Sequence, residues 1–129
     1  MTSEPVDNVY GMTMTEWISL VPNELAQDAV GLWQIVPAGI LRFGLSGGEL
    51  EDYVRRNIEA LLNAGAVPVV GSIKSDYEWI RQTQLGISRE EIVAAVIAEW
   101  HRVGNDPGEL AGSIWFARPV LGKMYVKMD

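Results

Sequence analysis

The first notable absence in this sequence of 129 residues is cysteine. Without cysteine, the chain has no disulfide bond and no thiolate ligand for a metal ion. Histidine is nearly as rare, because His101 is the only one. One histidine does not supply the several imidazole ligands that zinc sites combine within a chain. We therefore predict no metal site and no cofactor.

Basic side chains are also scarce. The chain has 10 Lys and Arg against 17 Asp and Glu, which gives a net charge of -7. Residues 1–65 hold 9 acidic and 3 basic side chains, whereas residues 66–129 hold 8 and 7. Because phosphate contacts need clustered Lys and Arg, we do not expect a nucleic acid partner. If charge guides this protein to another macromolecule, that partner is basic.

The sequence also lacks a long apolar run. A helix needs about 20 consecutive apolar residues to cross a bilayer, and no stretch approaches this length. The first eleven residues, MTSEPVDNVYG, show neither the basic start nor the apolar run of a signal peptide. We therefore expect no membrane contact and a cytoplasmic location. We also expect residues 1–11 to form a flexible tail ahead of a single domain at 12–129.

The sequence does contain a recurring helix-start signal. In the pattern Ser/Thr-x-x-Glu, the two side chains cap free backbone N–H groups of the first turn. Each occurrence precedes apolar residues at helical spacing, which predicts that a helix begins there. The four pairs are Thr13 with Glu16, Ser46 with Glu49, Ser75 with Glu78, and Ser88 with Glu91.

Residues 46–71, SGGELEDYVRRNIEALLNAGAVPVVG, form the clearest unit. Apolar side chains from Leu50 to Leu62 recur on one helical face. Gly65 is predicted to end this helix with a positive φ. Residues 66–70 then predict a short buried strand. Pro68 cannot donate a ladder hydrogen bond, so we expect this strand to lie at a sheet edge or to be irregular.

The remaining pattern indicates helices and strands in one domain. After Asn23, residues 25–36 predict a helix that ends at Pro37-Ala38-Gly39, while a competing interpretation makes residues 32–36 and 40–44 a hairpin. Further helices are predicted over 75–86 and 88–103. The fold class is therefore α+β, with about five helices packed on a small β-sheet of strands near 66–70, 113–118 and 123–128. The strand order stays open.

Two groups of acidic residues are candidates for contact with a basic partner. The first group comprises Glu49, Glu51, Asp52 and Glu59. The second comprises Asp76 and Glu78, which lie beside Trp79. Tryptophan is enriched among the residues that dominate binding energy in protein interfaces. Trp79 follows the polar run Lys74-Ser75-Asp76, so it is the tryptophan that we expect nearest to a surface.

His101 is the centre of the alternative hypothesis. It lies near the end of a predicted helix, where a positive charge is favourable without any catalytic role. A Ser/His/acid triad would have to use it. The available serines are Ser72, Ser75, Ser88 and Ser113, and none of these four lies in a G-x-S-x-G elbow. We therefore assign no catalytic residue. The alternative is a small-ligand-binding protein or enzyme with a pocket between helices and sheet that includes His101.

Four blocks of sequence, GLWQIVPAG, FGLSGGELEDYVRRNIEALLNAGAVPV, REEIVAAVIAEW and IWFARP, resemble small bacterial proteins of unknown function that share this block order. The resemblance covers most of residues 16–119 and implies a bacterial origin and one domain. No activity comes with it. The sequence predicts a non-catalytic protein-binding module, such as an immunity protein that neutralises a basic bacterial toxin. It does not indicate an oligomeric state.

Overall fold

The computed structural model describes residues 4–71 and 79–119, together with the backbone of 126–127. Within these residues, five α-helices and five strands confirm the predicted α+β class. The helices are α1 (Met14–Leu20), α2 (Leu32–Phe43), α3 (Gly47–Asn63), α4 (Arg89–Val103) and α5 (Pro107–Ala111). The strands are β1 (Val30–Gly31), β2 (Val67–Gly71), β3 (Trp79–Arg81), β4 (Trp115–Ala117) and β5 (Val126–Lys127). Two 3₁₀ helices cover Val21–Ala26 and Thr83–Leu85.

The strands form one sheet in the order β1-β4-β2-β3-β5. All neighbouring strands are antiparallel except β3 and β5, which are parallel. The predicted strands at 66–70 and 113–118 correspond to β2 and β4, which pair directly with Val69 opposite Trp115. Of the predicted strand at 123–128, residues 126–127 form β5 and the others lie outside the described residues.

The expectation that Pro68 places its strand at an edge is wrong, because β2 lies between β4 and β3. The carbonyl of Pro68 accepts a hydrogen bond from the N–H of Gln82 at 2.9 Å. Gln82 follows Arg81, the last residue of β3. In an antiparallel pair, a residue's N–H and C=O face the same neighbour. The missing donor of Pro68 therefore falls where the β2–β3 ladder ends, and the other pairings of β2 are kept.

The capping signals have mixed outcomes. The boxes at Thr13–Glu16 and Ser88–Glu91 are confirmed, and they begin α1 and α4 with both reciprocal hydrogen bonds. The box at Ser46 is wrong, because the Ser46 side chain makes no capping hydrogen bond although this residue is the N-cap of α3. The next residue, Gly47, has a φ of 54°, and this left-handed conformation changes the path into the first turn.

The end of α3 follows the prediction, since Gly65 has a φ of 92°. This left-handed residue ends the helix and directs the chain into β2. The Ser75–Glu78 pair lies outside the described residues. The predicted helix over 75–86 is wrong within the described residues, where residues 79–81 pair with β2 as β3. Three residues are too few for periodicity to distinguish a strand from a helix. Their hydrogen bonding to β2 makes them a strand.

The preferred helix over residues 25–36 is confirmed only for 32–36, its two predicted ends are wrong, and the alternative hairpin is wrong. The chain passes through a 3₁₀ helix and β1, and α2 then runs through Pro37 to Phe43. Gly31 shows why the helix begins late. It lies in β1 opposite Trp115, and a Cβ on Gly31 would lie 2.8 Å from the Trp115 ring. This strand pairing interrupts the predicted helix, and residues 32–36 and 40–43 of the predicted hairpin belong to α2.

The sheet separates two groups of buried side chains. On one face, Phe116 and Val70 pack with the inner sides of α2, α3 and α4 in the main core. On the other face, Val69 and Ala117 form a smaller cluster with the partly buried rings of Trp79 and Trp115. Because successive strand residues point to opposite faces, β2 and β4 contribute to both clusters.

The described part of the N-terminal segment is a loop that contacts α2. The buried Asp7 carboxylate accepts hydrogen bonds from the N–H groups of Val9 and Tyr10. It also pairs with Arg42 of α2 at 3.4 Å. The contacts of Asp7 connect this segment to the domain. The flexibility that we expect for residues 1–11 stays a prediction.

Candidate functional site

The four carboxylates predicted on α3 lie on its solvent-facing side. Glu49 and Asp52 are exposed, while Glu51 and Glu59 are half-buried. Residues three, four or seven positions apart lie on the same side of a helix, so Glu49, Asp52 and Glu59 follow one line along α3. We call Glu49, Glu51, Asp52 and Glu59 the acidic face of α3. The opposite side of α3 supplies Leu50, Tyr53, Val54, Asn57, Ile58 and Leu61 to the interior.

Two arginines of α3 lie among the carboxylates of the acidic face. Arg55 lies 3.7 Å from Glu51, and Arg56 donates a hydrogen bond to the Thr15 hydroxyl of α1 at 3.1 Å. The other three carboxylates of the face make no ion pair within 4.0 Å among the described residues. Within the described part of the chain, no cation therefore neutralises Glu49, Asp52 or Glu59 at close range.

Glu51 joins the acidic face to His101. The Nε2 atom of His101 lies 2.7 Å from Oε1 of Glu51, so the last turn of α4 contacts the start of α3. The imidazole also stacks on the Trp100 ring, with 4.8 Å between ring centroids. His101 is exposed, as is typical of a histidine on an outer helix turn. The structure thus brings together two residues that the sequence analysis assigned to different hypotheses.

A small cavity lies beside this contact, between the start of α3 and the end of α4. Its volume is about 250 Å³. The indole N–H of Trp100 donates to Asn105 Oδ1 at 2.8 Å, which fixes one wall. An imidazole within hydrogen-bond distance of a carboxylate can exchange a proton with a bound molecule. The lining residues are Gly47, Leu50, Trp100, His101, Gly104 and Asn105.

Trp79 does not adjoin the acidic face of α3. It lies on the sheet face opposite the main core, where its ring centroid is 5.2 Å from that of Trp115. Trp33, which is 39% exposed, extends this aromatic row with its centroid 6.1 Å from Trp115. The expectation that Trp79 is the tryptophan nearest to a surface is therefore wrong, because Trp79 is only partly exposed. The predicted acidic residues beside Trp79, Asp76 and Glu78, lie outside the described residues.

Sequence reasoning missed a larger cleft between α1, the 3₁₀ helix Val21–Ala26 and α2. Its volume is about 340 Å³. No periodic signal indicated it, because periodicity does not show that Val30, Gln34 and Ile35, assigned to a helix with other bounds, pack near α1. The lining residues are Met12, Trp17, Leu20, Val21, Glu24, Val30, Gln34 and Ile35.

Two carboxyl groups and one hydroxyl group away from these cavities have shifted pKa values. Hydrogen bonds from Ser88 and then Ile87 hold the pKa of the Glu91 carboxyl below its ordinary range. A hydrogen bond from Arg102 lowers the pKa of Glu99 in the same way. Burial raises the pKa of the Tyr53 hydroxyl, so this group stays neutral inside the core. All three shifts have structural causes, since they arise from capping, an ion pair and burial.

No group of three or more metal-ligating His, Asp or Glu side chains occurs within residues 4–71 and 79–119. Among the described helices, none is long and apolar enough to cross a membrane. Comparison of the chain with protein-family models, with curated proteins and with solved structures finds no significant match.

Proposed function

We propose that this protein is a non-catalytic binding module whose acidic face of α3 contacts a basic protein. The observation that supports the proposal is the line formed by Glu49, Asp52 and Glu59. These side chains project from one side of a helix and make no ion pair among the described residues. An immunity-type role, in which the partner is a basic toxin in the same cytoplasm, is the specific form of this proposal.

Charge complementarity has two separate consequences for such a complex. Exposed carboxylates raise the rate of encounter with a cationic surface, and this effect weakens as salt screens the charges. Arg55 and Arg56 lie on the same helix and would repel cations placed opposite them. The alternation of charge along α3 therefore favours one register of the partner over others.

The acidic face of α3 is the proposed contact, and Trp79 is not part of the same surface. Trp79 lies beyond the sheet, on the face opposite the main core that α3 helps to form. A partner with an interface of ordinary size can cover the acidic face of α3 without contacting Trp79. A contact at Trp79, with Asp76 and Glu78, stays a separate prediction.

The test compares capture of host proteins by three forms of the chain at low and at high salt. The first is the wild type, the second is Asp52→Asn with Glu59→Gln, and the third is Glu90→Gln with Glu109→Gln. Both double variants change the net charge equally, but Glu90 and Glu109 lie on α4 and α5. The proposal expects one basic protein to bind the wild type and the third form in low salt, and to bind the second form weakly.

An equal loss of binding in both double variants would contradict the proposal. It would show that net charge, and not the acidic face of α3, determines binding. Undiminished binding of the same basic protein to the second form would contradict the proposal as well. Circular dichroism of each form is the control for folding. Fractionation of native host cells tests the cytoplasmic location.

A second candidate function is binding or conversion of a small molecule beside His101. It is supported by the contact between the imidazole and the Glu51 carboxylate at the edge of the 250 Å³ cavity. A panel of small acids and amines, screened by melting temperature with wild type and His101→Ala, tests it. Stabilisation of the wild type by a compound that leaves His101→Ala unchanged would support this candidate. A panel without such a compound would count against it.

A further inference from the structure

The cleft between α1, the 3₁₀ helix Val21–Ala26 and α2 is separate from the acidic face of α3. The buried side chains of Val30 and Ile35 form part of its inner surface. Its volume of about 340 Å³ is at the lower end of the range of roughly 300–1,000 Å³ found for small-molecule pockets. The cleft therefore has space for a small organic molecule.

The walls of the cleft are mostly apolar. Six of the eight lining residues are Met, Trp, Leu, Val or Ile. Leu20 is 48% exposed although it is a large apolar side chain, and Trp17 and Val21 are half-buried. Covering these walls with the apolar part of a ligand would remove them from water, which is favourable in proportion to the area buried.

The polar groups of the cleft differ in their availability. Gln34 uses its Oε1 atom to accept a hydrogen bond from the N–H of Gly31 at 2.8 Å, which fixes this side chain at the start of α2. Glu24 is exposed and makes no ion pair within 4.0 Å among the described residues. Glu24 is also the one charged side chain among the eight lining residues. The charge at the cleft is therefore negative.

Arg42 contacts a lining residue of the cleft, but it is already paired with a carboxylate. Arg42 places its guanidinium carbon 5.0 Å from the centroid of the Trp17 ring. The same guanidinium lies 3.4 Å from the buried carboxylate of Asp7, which balances its charge. The Trp17 ring thus already contacts one cation, and Glu24 is the group left to attract another.

We infer that this cleft binds a small organic ammonium compound with an apolar or aromatic body. The body packs against Trp17, Leu20 and Val21, and the ammonium group lies next to the Glu24 carboxylate. The inference does not depend on the acidic face of α3, because the two regions share no residue. It assigns a ligand class by charge complementarity and by the shape of the cleft.

The experiment is an NMR titration of ¹⁵N-labelled protein with three probes of similar size. These are phenethylammonium, the neutral 2-phenylethanol and the anionic 3-phenylpropionate. We expect the assigned Trp17 indole signal and the amides of Leu20, Val21, Asn23 and Glu24 to shift, with the tightest binding for the cation. Glu24→Gln should weaken cation binding about two- to fivefold, as for an exposed ion pair, and leave the neutral probe unchanged.

Two control variants sharpen the result. Glu90→Gln removes the same charge from α4 and should leave all three dissociation constants unchanged. Val21→Phe places a larger side chain in the cleft and should weaken the binding of all three probes. Circular dichroism checks that this variant folds. Equal affinity for cation and anion would overturn the inference. Shifts confined to residues away from the cleft would overturn it, as would an unchanged cation affinity in Glu24→Gln.

Discussion

His101 and Glu51 are separated by 50 residues in sequence, yet their side chains meet at 2.7 Å. The contact joins the last turn of α4 to the first turns of α3. Both side chains are substantially exposed, at 56% and 41%. A polar contact between side chains of this exposure contributes at most about 1 kcal/mol, even where both are charged. The pair is therefore more important for the shape and charge of the surface than for the stability of the fold.

The first prediction concerns this pair. His101→Ala should lower the free energy of unfolding by no more than about 1 kcal/mol, because water screens the lost contact. Urea unfolding measures this effect. Leu50→Ala, which removes a buried side chain of the same cavity wall, is the comparison and should cost about 2–5 kcal/mol. A loss from His101→Ala as large as that from Leu50→Ala would contradict the surface role.

The second prediction concerns the end of α3. Gly65 has a φ of 92°, a conformation that costs a residue with a side chain about 1–2 kcal/mol. Gly65→Ala should therefore lower the melting temperature. Gly48→Ala is the matched control, because Gly48 has no positive φ and a Cβ there meets nothing within 4 Å. Calorimetry should show a melting temperature for Gly48→Ala that equals or exceeds that of the wild type. Equal melting temperatures for both variants would refute the assignment.

The third prediction compares two serines at helix starts. The Ser88 hydroxyl accepts from the N–H of Glu91 at 3.2 Å, whereas the Ser46 side chain makes no capping hydrogen bond. Ser88→Ala should lower the free energy of unfolding by about 1 kcal/mol. Ser46→Ala should have the smaller effect. The reverse order in urea unfolding would show that the start of α3 is capped after all.

The fourth prediction is a pH dependence at Glu91. Hydrogen bonds from Ser88 and Ile87 lower the pKa of this carboxyl in the folded protein below the ordinary value of 4.5. The folded state therefore favours the charged form. Its contribution to stability is complete above pH 4.5 and is lost as pH falls through the lowered pKa.

Glu91→Gln tests this linkage because it removes the titrating group while keeping an oxygen that can accept hydrogen bonds. The difference in unfolding free energy between wild type and variant should be constant near neutral pH. It should shrink as the pH falls below about 4.5. Urea unfolding over a series of pH values measures it. A difference that does not change down to about pH 3 would contradict the linkage.

The elements that sequence alone predicted are those with strong local signals. Capping pairs and an apolar stripe determine the start and length of α4, and Gly65 determines the end of α3. These signals act between residues a few positions apart, so they are visible in one sequence. The central position of β2 was not visible, because it depends on which strands pair and on where β3 ends opposite Pro68.

The misassigned segment at 25–44 has a tertiary cause. Gly31 must lie against the Trp115 ring in β1, and this contact joins residues from opposite ends of the chain. Periodicity carries no information about such a contact. The cleft beside Glu24 was missed for the same reason, since α2 begins only after Gly31. The individual carboxylates on α3 were found from sequence, but their link to His101 required the packing of α4 on α3.

The most direct test of the central claim is zero-length carbodiimide cross-linking of wild-type protein to a partner captured from the host. This reaction joins carboxylates to lysines only where the two groups are in contact. We predict cross-links from Glu49, Asp52 or Glu59 to lysines of the partner, and we predict that these cross-links are lost in high salt. Cross-links confined to carboxylates elsewhere, such as Glu24, Glu90 or Glu109, would contradict the acidic face of α3 as the binding surface.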